Sequence, residues 1–350
     1  MPTRSKKYLI FGGTGSLGTT LTRRLLLQGH TVAVFSRDEA KNFYHKRLFA
    51  KHQKHIQYFI GDVRNYNTVL GAIVRFQPDA IIAAAAMKQV PLCEEFPEEA
   101  VQTNVIGTQN VAQAAAEFAR TASGAGVELP VRVLSISTDK AVKPVNAYGC
   151  TKALQERIHL RYNRNGVLAN CVRYGNVLES TGSVLPVFKA QLEAKQCLTV
   201  TDASMTRFLL SLDEAVDLIF KALADNEGGK IFVPKLRSAY IMDVAETMCE
   251  AAGRDPANSI VTMGIRPGEK LHELLISEEE CHRVRFESEQ DCFVIQWQDE
   301  DYSTWSEHLF SSGDPANLIT KPELEAFLQE KGVIPCVSES PALPASSART

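Results

Sequence analysis

The chain has 350 residues, 45% hydrophobic and 23% charged, a composition that supports one large or two merged globular domains. Its 38 basic and 41 acidic residues leave a formal charge of −3, so no global positive field draws nucleic acid or an anionic membrane surface, although a local basic pocket for a small anion stays open. Eight cysteines without a CxxC pair read as reduced thiols of a cytoplasmic protein and speak against a zinc site. MPTRSKK leads into only the short apolar run YLIF, and nowhere do about 18 uninterrupted apolar residues occur, so a soluble protein without a signal peptide or membrane span is expected.

From Tyr8 to Cys171 short apolar runs alternate with amphipathic stretches. YLIFG is followed by a helix from Ser16, then TVAVFS, a helix, IQYFIGD, a helix, DAIIAAAA, a long helix, VRVLSIS, a helix and VLANCVR. Strand and helix in strict alternation predict an α/β fold, a doubly wound parallel sheet covered on both faces, over residues 1–176. The turn-rich stretch 121–130 predicts a loop before the fifth strand. Beyond residue 176 helical stretches near 184–195, 212–225, 240–252 and 269–276 predict a smaller substrate-binding region, 177–336, mixed with the first domain. Residues 337–350, rich in Ser, Ala and Pro, predict a disordered tail.

Gly12, Gly15 and Gly18, with Thr14, Ser16 and Leu17 between them, stand between a strand and a helix. Glycines so spaced permit a tight turn, close approach of backbone to a pyrophosphate, and close helix–strand packing, with the helix N-terminus facing the phosphates. The second strand ends in Ser36-Arg37, which suits a 2′-phosphate better than a ribose hydroxyl, so NADP is preferred and NAD stays possible. Arg37 has a second reading, pairing with Asp38 or Glu39 at a surface turn. Asp62, ending the third strand, either accepts from an adenine amino group or caps the helix near Asn65.

Thr138-Asp139-Lys140 ends the fifth strand, and Tyr148 and Lys152 follow at i, i+4, one face of a helix. An ammonium beside a phenol favours phenolate, which makes Tyr148 a base for oxidising an alcohol. Asp139 and Lys140 add an acid and an amine that simple oxidation does not need, so oxidation plus a further step is expected. The alternative for Asp139 and Lys140 is a surface ion pair, and for Thr138 a hydroxyl that only closes the strand end.

GDVR at 61–64, AAAMKQVPLCE at 84–94, Asn104, STDKA at 137–141, YGCTK at 148–152, RYGNV at 173–177, GSVLP at 182–186, MTRF at 205–208 and RPGEKLHE at 266–273 resemble the extended short-chain dehydrogenase/reductases. Within them the chain resembles the soluble UDP-N-acetylglucosamine 4,6-dehydratases of polysaccharide and pseudaminic-acid biosynthesis. The resemblance runs from about Tyr8 to about Ser277, and STDKA and RPGEKLHE are its particular motifs.

The resemblance implies that Tyr148 takes the 4-hydroxyl proton while hydride leaves C4, and that Lys152 holds the nicotinamide ribose. Lys140, if partly neutral, then takes the C5 proton, and Asp139 as an acid protonates the departing 6-hydroxyl. Hydride returns to C6, and a lysine after the aspartate points to inversion at C5. It also implies cofactor contacts from Val63, Ala84 and Lys88, substrate contacts from Lys88, Thr138, Asn176, Val184, Thr201, Arg266 and Glu269, and a homo-oligomer binding a UDP-sugar. Arg266 and Lys270 have a second reading, neutralising Glu278-Glu279-Glu280, and Arg207 is open both ways. Ala83, where relatives usually carry histidine, and Glu179, often glycine, depart from the pattern. A UDP-hexose 4-epimerase, a 5,6-dehydratase and a non-enzymatic NADP sensor are the competing functions.

Overall fold

The computed structural model describes residues 5–122, 130–164, 166–178, 180, 182–297 and 309–335. Most of the expected loop at 121–130, Glu179 and the expected tail 337–350 lie outside them.

Strands β1 (Lys7–Phe11), β2 (Thr31–Ser36), β3 (Ile56–Ile60), β4 (Ala80–Ala83), β5 (Val131–Thr138) and β6 (Val167–Tyr174) alternate with helices. These are α1 (Ser16–Leu27), α2 (Glu39–Leu48), α3 (Tyr66–Phe76), the short α4 (Val90–Glu95) and α5 (Pro97–Ala100), α6 (Gly107–Ala122) and α7 (Ala147–Leu160). A π-helical turn, Val101–Ile106, joins α5 to α6. Each core strand is apolar on both faces, as a sheet covered twice requires. Leu9 and Phe11 pack on the side of α3 and α6, and Ile10 on the side of α1. All three are fully buried, each contributing about 1.5–3 kcal/mol.

The later chain adds β7 (Asn176–Val177), α8 (Val184–Glu193), β8 (Leu198–Val200), β9 (Thr206–Leu210), α9 (Leu212–Ala224), β10 (Lys230–Pro234), β11 (Ser238–Tyr240) and α10 (Ile241–Ala251). After these come β12 (Ile260–Thr262), β13 (Leu274–Ile276), β14 (Val284–Glu287), β15 (Cys292–Gln296), β16 (Phe310–Ser311) and α11 (Lys321–Glu330). The main sheet has nine strands in the order β14-β15-β10-β6-β5-β4-β1-β2-β3. It is parallel from β3 to β10 and ends in an antiparallel hairpin. Strand order reverses between β1 and β4, so the loops after β1, β4 and β5 open one crevice at the carboxyl edge. A separate core of α8, α10, α11, β8 and β9 stands beside it.

The helix expected over 269–276 is absent. Gly268, at φ +81°, turns the chain, and β13 follows as a strand paired with β16, burying Leu275 and Ile276. Pairing with a distant strand overrides local periodicity here.

Arg173 on β6 ties this segment to α7. Its guanidinium grips Glu156 at 2.9 and 2.7 Å and Glu280 at 2.9 and 2.8 Å, and donates to the Leu275 carbonyl at 3.0 Å. Because Arg173 is only 2% exposed, removing it strands two carboxylates with little water. Arg173→Met should therefore cost about 3–5 kcal/mol in urea unfolding, and a loss below about 1 kcal/mol would mean the carboxylates find other partners.

Candidate active site

Gly12, at φ +81°, brings the first turn against the loop after β4: a Cβ there would sit 2.7 Å from Ala85 N. At Gly18 a Cβ would meet Gly13 Cα at 2.5 Å, so α1 starts directly against the turn. Gly15 caps α1 without a side chain, which leaves the first helical N–H groups open to a ligand. This cradle, lined by Thr14, Ser16 and Leu17, fits a dinucleotide pyrophosphate.

At the tip of β2 the Ser36 and Thr14 hydroxyls meet at 2.9 Å. Asp38 caps α2 through Lys41 N at 2.9 Å and makes no pair with Arg37, which corrects the surface-turn reading of Arg37. Arg37 is exposed, and its charge acts on Asp62. Asn65, not Asp62, caps α3. Asp62 accepts from Arg64 N, Nε and Nη2 at 2.8–3.0 Å; burial raises its pKa, but Arg64 outweighs that and holds it low. Val63 is buried, and its carbonyl accepts from Asn110 Nδ2 at 2.9 Å.

The loop after β4 carries Ala84 and Lys88 along the crevice. Asn104, buried within the π-helical turn, accepts from Met87 N and donates to Met87 O and to Thr151 Oγ1 on α7, all within 3.0 Å. Widened turns of this kind free a side chain for such bridging. Lys88 Nζ reaches Ser180 Oγ at 3.5 Å, and desolvation lowers its pKa.

Thr138 ends β5, and Asp139 and Lys140 form a single 3₁₀ turn. Asp139 is fully buried: Oδ1 accepts from Thr138 Oγ1 at 2.8 Å and Lys140 Nζ at 3.1 Å, and Oδ2 has no partner. Asp139 and Lys140 are therefore no surface ion pair. Burial raises the Asp139 pKa against the pull of Lys140, and Glu273 adds to the rise. Lys140 also meets Glu273 Oε1 at 3.4 Å. Burial alone would lower its pKa, but Asp139 and Glu273 reverse this and raise it. The surroundings thus favour the ammonium over the partly neutral lysine expected from the sequence.

Tyr148 and Lys152 share α7, whose start is capped by Asn146 and tied by Ala147 N to Glu94. The expectation that Lys152 lowers the tyrosine pKa is not met. Lys152 turns inward, 3% exposed, and donates to the Ile136 carbonyl and to Gln155 Oε1 at 2.6 Å. Desolvation pushes its pKa down to about 8. Tyr148 remains half-buried; desolvation pushes the phenol up to about 12 despite the lowering effects of Lys140 and a hydrogen bond with Thr138.

The segment after β12 closes one wall. Asn146 Nδ2 donates to Gly268 O at 2.7 Å and Lys270 Nζ to Val142 O at 2.6 Å. Arg266, half exposed, stands 4.0 Å from Glu269, whereas Lys143 pairs with Glu278 and Glu279, and Arg173 with Glu280. Neutralisation of the acidic run by Arg266 and Lys270 is thereby corrected. Arg207, 8% exposed, donates to the Thr206 and Leu271 carbonyls and lowers the pKa of both Lys140 and Glu273 by its charge. It joins Asn176 and Val184 around one apolar hollow. Thr201 stands just past β8, its carbonyl accepting from Gly264 N at 3.0 Å, two residues before Arg266.

Glu273 is the site residue that the sequence reading missed. It is 2% exposed, within 3.4 Å of Lys140 and 3.8 Å of Lys270. The signal was its place at the head of LeuLeuIle, since a glutamate entering a buried strand needs cations around it.

A parallel sheet with a glycine cradle at its switch point and a Tyr–Lys pair on the helix after β5 defines a Rossmann-like protein of the extended short-chain dehydrogenase/reductase type. The sequence family described as Polysaccharide biosynthesis protein matches residues 8–295, and the chain belongs to this family. The chain is 38% identical over 337 residues to an uncharacterized membrane protein of Methanocaldococcus jannaschii, covering 93% of this chain and 96% of that one. It is 40% identical over 284 residues to a UDP-glucose 4-epimerase of Rickettsia conorii, 79% of each. Pen from Bacillus thuringiensis superposes with a TM-score of 0.83 at 34% identity, over 94% of this chain and all (100%) of that one. DesIV, a dTDP-glucose 4,6-dehydratase from Streptomyces venezuelae solved with NAD, shares the fold at TM-score 0.66 and 22% identity, over 76% and 86%. Among the described residues no helix is long and apolar enough to cross a membrane.

Lys152 generates a pH prediction. Its folded pKa of about 8 lies below the ordinary 10.5, so between these values the unfolded chain binds the extra proton and stability rises with pH. Below about 8 the buried cation costs on the order of 3 kcal/mol. In urea unfolding, Lys152→Met should gain relative to the native chain at pH 7 and lose that gain as pH rises through the window. A pH-independent difference would contradict this.

Proposed function

We propose that the protein is a sugar-nucleotide 4,6-dehydratase acting on UDP-N-acetylglucosamine with NADP, inverting C5. The observation that carries this reading is Asp139, a fully buried carboxyl with a raised pKa and an oxygen without a partner, in contact with Lys140 and with Thr138, which also hydrogen-bonds the Tyr148 phenol. Oxidation alone has no use for a buried acid there.

The cradle of Gly12, Gly15 and Gly18 would hold a nicotinamide dinucleotide, which would supply the hydride acceptor for C4 and the hydride donor for C6. Ser36 and Arg37 favour the 2′-phosphate form. Tyr148 accepts the 4-hydroxyl proton, with Lys140, the cation acting on the phenol, stabilising the phenolate. A proton shift along the 3.1 Å contact from Lys140 Nζ to Asp139 Oδ1 then yields an amine base and a carboxylic acid together. The amine takes the C5 proton, the acid protonates the leaving 6-hydroxyl, and a proton delivered to the opposite face of C5, from the Tyr148 phenol that took the 4-hydroxyl proton, completes the inversion. Arg266 and Arg207 suit the diphosphate, with Asn176, Thr201, Glu269 and Val184 around the nucleotide. Lys88 borders the sugar, and assembly into a homo-oligomer accompanies the reading.

A 4-epimerase is the second reading, favoured by the two carboxylates that hold the Lys140 pKa up and by the name of the Rickettsia relative. Proton NMR of UDP-N-acetylglucosamine incubated with the protein in D2O separates them: a new C6 methyl signal with deuterium at C5 supports dehydration, whereas a 4-epimer without a methyl signal overturns it. Asp139→Asn should lose the methyl product by about 10²-fold or more yet still show bound reduced cofactor near 340 nm, and Tyr148→Phe should lose both.

A further inference from the structure

The buried carboxylate of Glu273 is met by cations from its surroundings, Lys140 Nζ at 3.4 Å and Lys270 Nζ at 3.8 Å. A buried carboxylate is costly unless hydrogen bonds and cations surround it, yet Glu273 Oε2 receives no hydrogen bond. Its backbone is locked instead: Glu273 N donates to the buried Ser312 hydroxyl and Ser312 N to Glu273 O, each at 2.9 Å. That lock holds Oε1 at 3.4 Å from Lys140 Nζ, on a different segment from Asp139, so the lysine sits between two carboxylates.

We propose that Glu273 is a positioning residue that acts through Lys140, holding its nitrogen beside Asp139 and stabilising the ammonium that forms when Lys140 takes the C5 proton. The inference rests on the dehydratase reading. In that step the C5–H bond breaks and an Nζ–H bond forms. The electron pair enters the enolate of the 4-ketone, and the 6-hydroxyl then leaves as water with the Asp139 proton. Positive charge thus develops on Nζ next to a fixed carboxylate that needs no rearrangement, the condition under which electrostatic stabilisation is most effective. Lys270 and Arg207 stop Glu273 from becoming a proton trap, since both hold its carboxyl in the ionised form.

The charged and titratable groups facing Lys140 are Asp139 on its own turn, Tyr148 on α7, Arg207 on β9, and Glu273 and Lys270 on the closing segment. Of these only Asp139 and Glu273 favour the ammonium as fixed carboxylates, so removing Glu273 must make Lys140 easier to deprotonate. Acetic anhydride labelling of the full chain at pH 9, read peptide by peptide by mass spectrometry, reports the neutral fraction of each lysine. In Glu273→Gln the Lys140 rate should rise about tenfold, one pKa step, with Lys152 unchanged. Glu273→Asp, which keeps the charge but withdraws it by one methylene, should fall between the two.

In the sugar assay Glu273→Gln should lower kcat for C5 deuterium incorporation by about tenfold or more with KM little changed. Equal Lys140 labelling in the native chain and both variants overturns the proposal, as does a change in Lys152 labelling as large as that of Lys140. If the native protein forms no methyl product, the dehydratase reading fails, while the labelling comparison still decides whether Glu273 governs Lys140.

Discussion

Charge taken out of water has to be matched inside the protein, and this fold does so twice along one helix. On one side of α7 Arg173 joins two buried glutamates; beyond its N-terminus Asp139, Lys140 and Glu273 form a second cluster. The first cluster is saturated, every charge met by short hydrogen bonds. The second is left incomplete, with one oxygen of Asp139 and one of Glu273 receiving no hydrogen bond. A saturated network fixes geometry, and an unsaturated one keeps chemical potential for a ligand. The two are coupled mechanically, because Glu280 and Glu273 lie on the same stretch of chain.

Helix α7 accordingly has two characters. Lys152, Gln155, Glu156 and His159 face inward and are nearly or fully buried, anchoring α7 to β5 and β6. Tyr148 sits at the first turn, where the helix emerges toward the crevice. An inward lysine and an outward tyrosine on neighbouring turns make the phenol answerable to Asp139 and Lys140 on the turn after β5, not to its i+4 neighbour.

Much of this was legible in the sequence because its causes are local. Alternating apolar runs and helical periods specify the parallel sheet, and the glycines at 12, 15 and 18 announce a cradle by their spacing. The polar turn Thr138-Asp139-Lys140 was legible as a break closing an apolar strand, but its burial was not, since an adjacent acid and base read equally as a surface pair. What escaped depends on contacts between distant parts of the chain. The segment 269–276 has a helical look until β16 pairs with it. Tyr148 and Lys152 have the spacing of interacting neighbours, yet the rotamer of the lysine follows acceptors on β5. Glu273, seen only as the end of RPGEKLHE, acquires its partner when the fold brings Lys140 to it.

The π-helical turn before α6 carries one further implication. It holds one more residue per turn than the regular helices on either side, and Asn104 uses that slack to reach across to Met87 and Thr151. Deleting a single residue between 101 and 106 would let the helix run on regularly and would rotate Asn104 off its partners, uncoupling the β4 loop from α7. The stretch is therefore sensitive to length more than to composition: conservative replacements leave it working, while a shift of frame by one position does not.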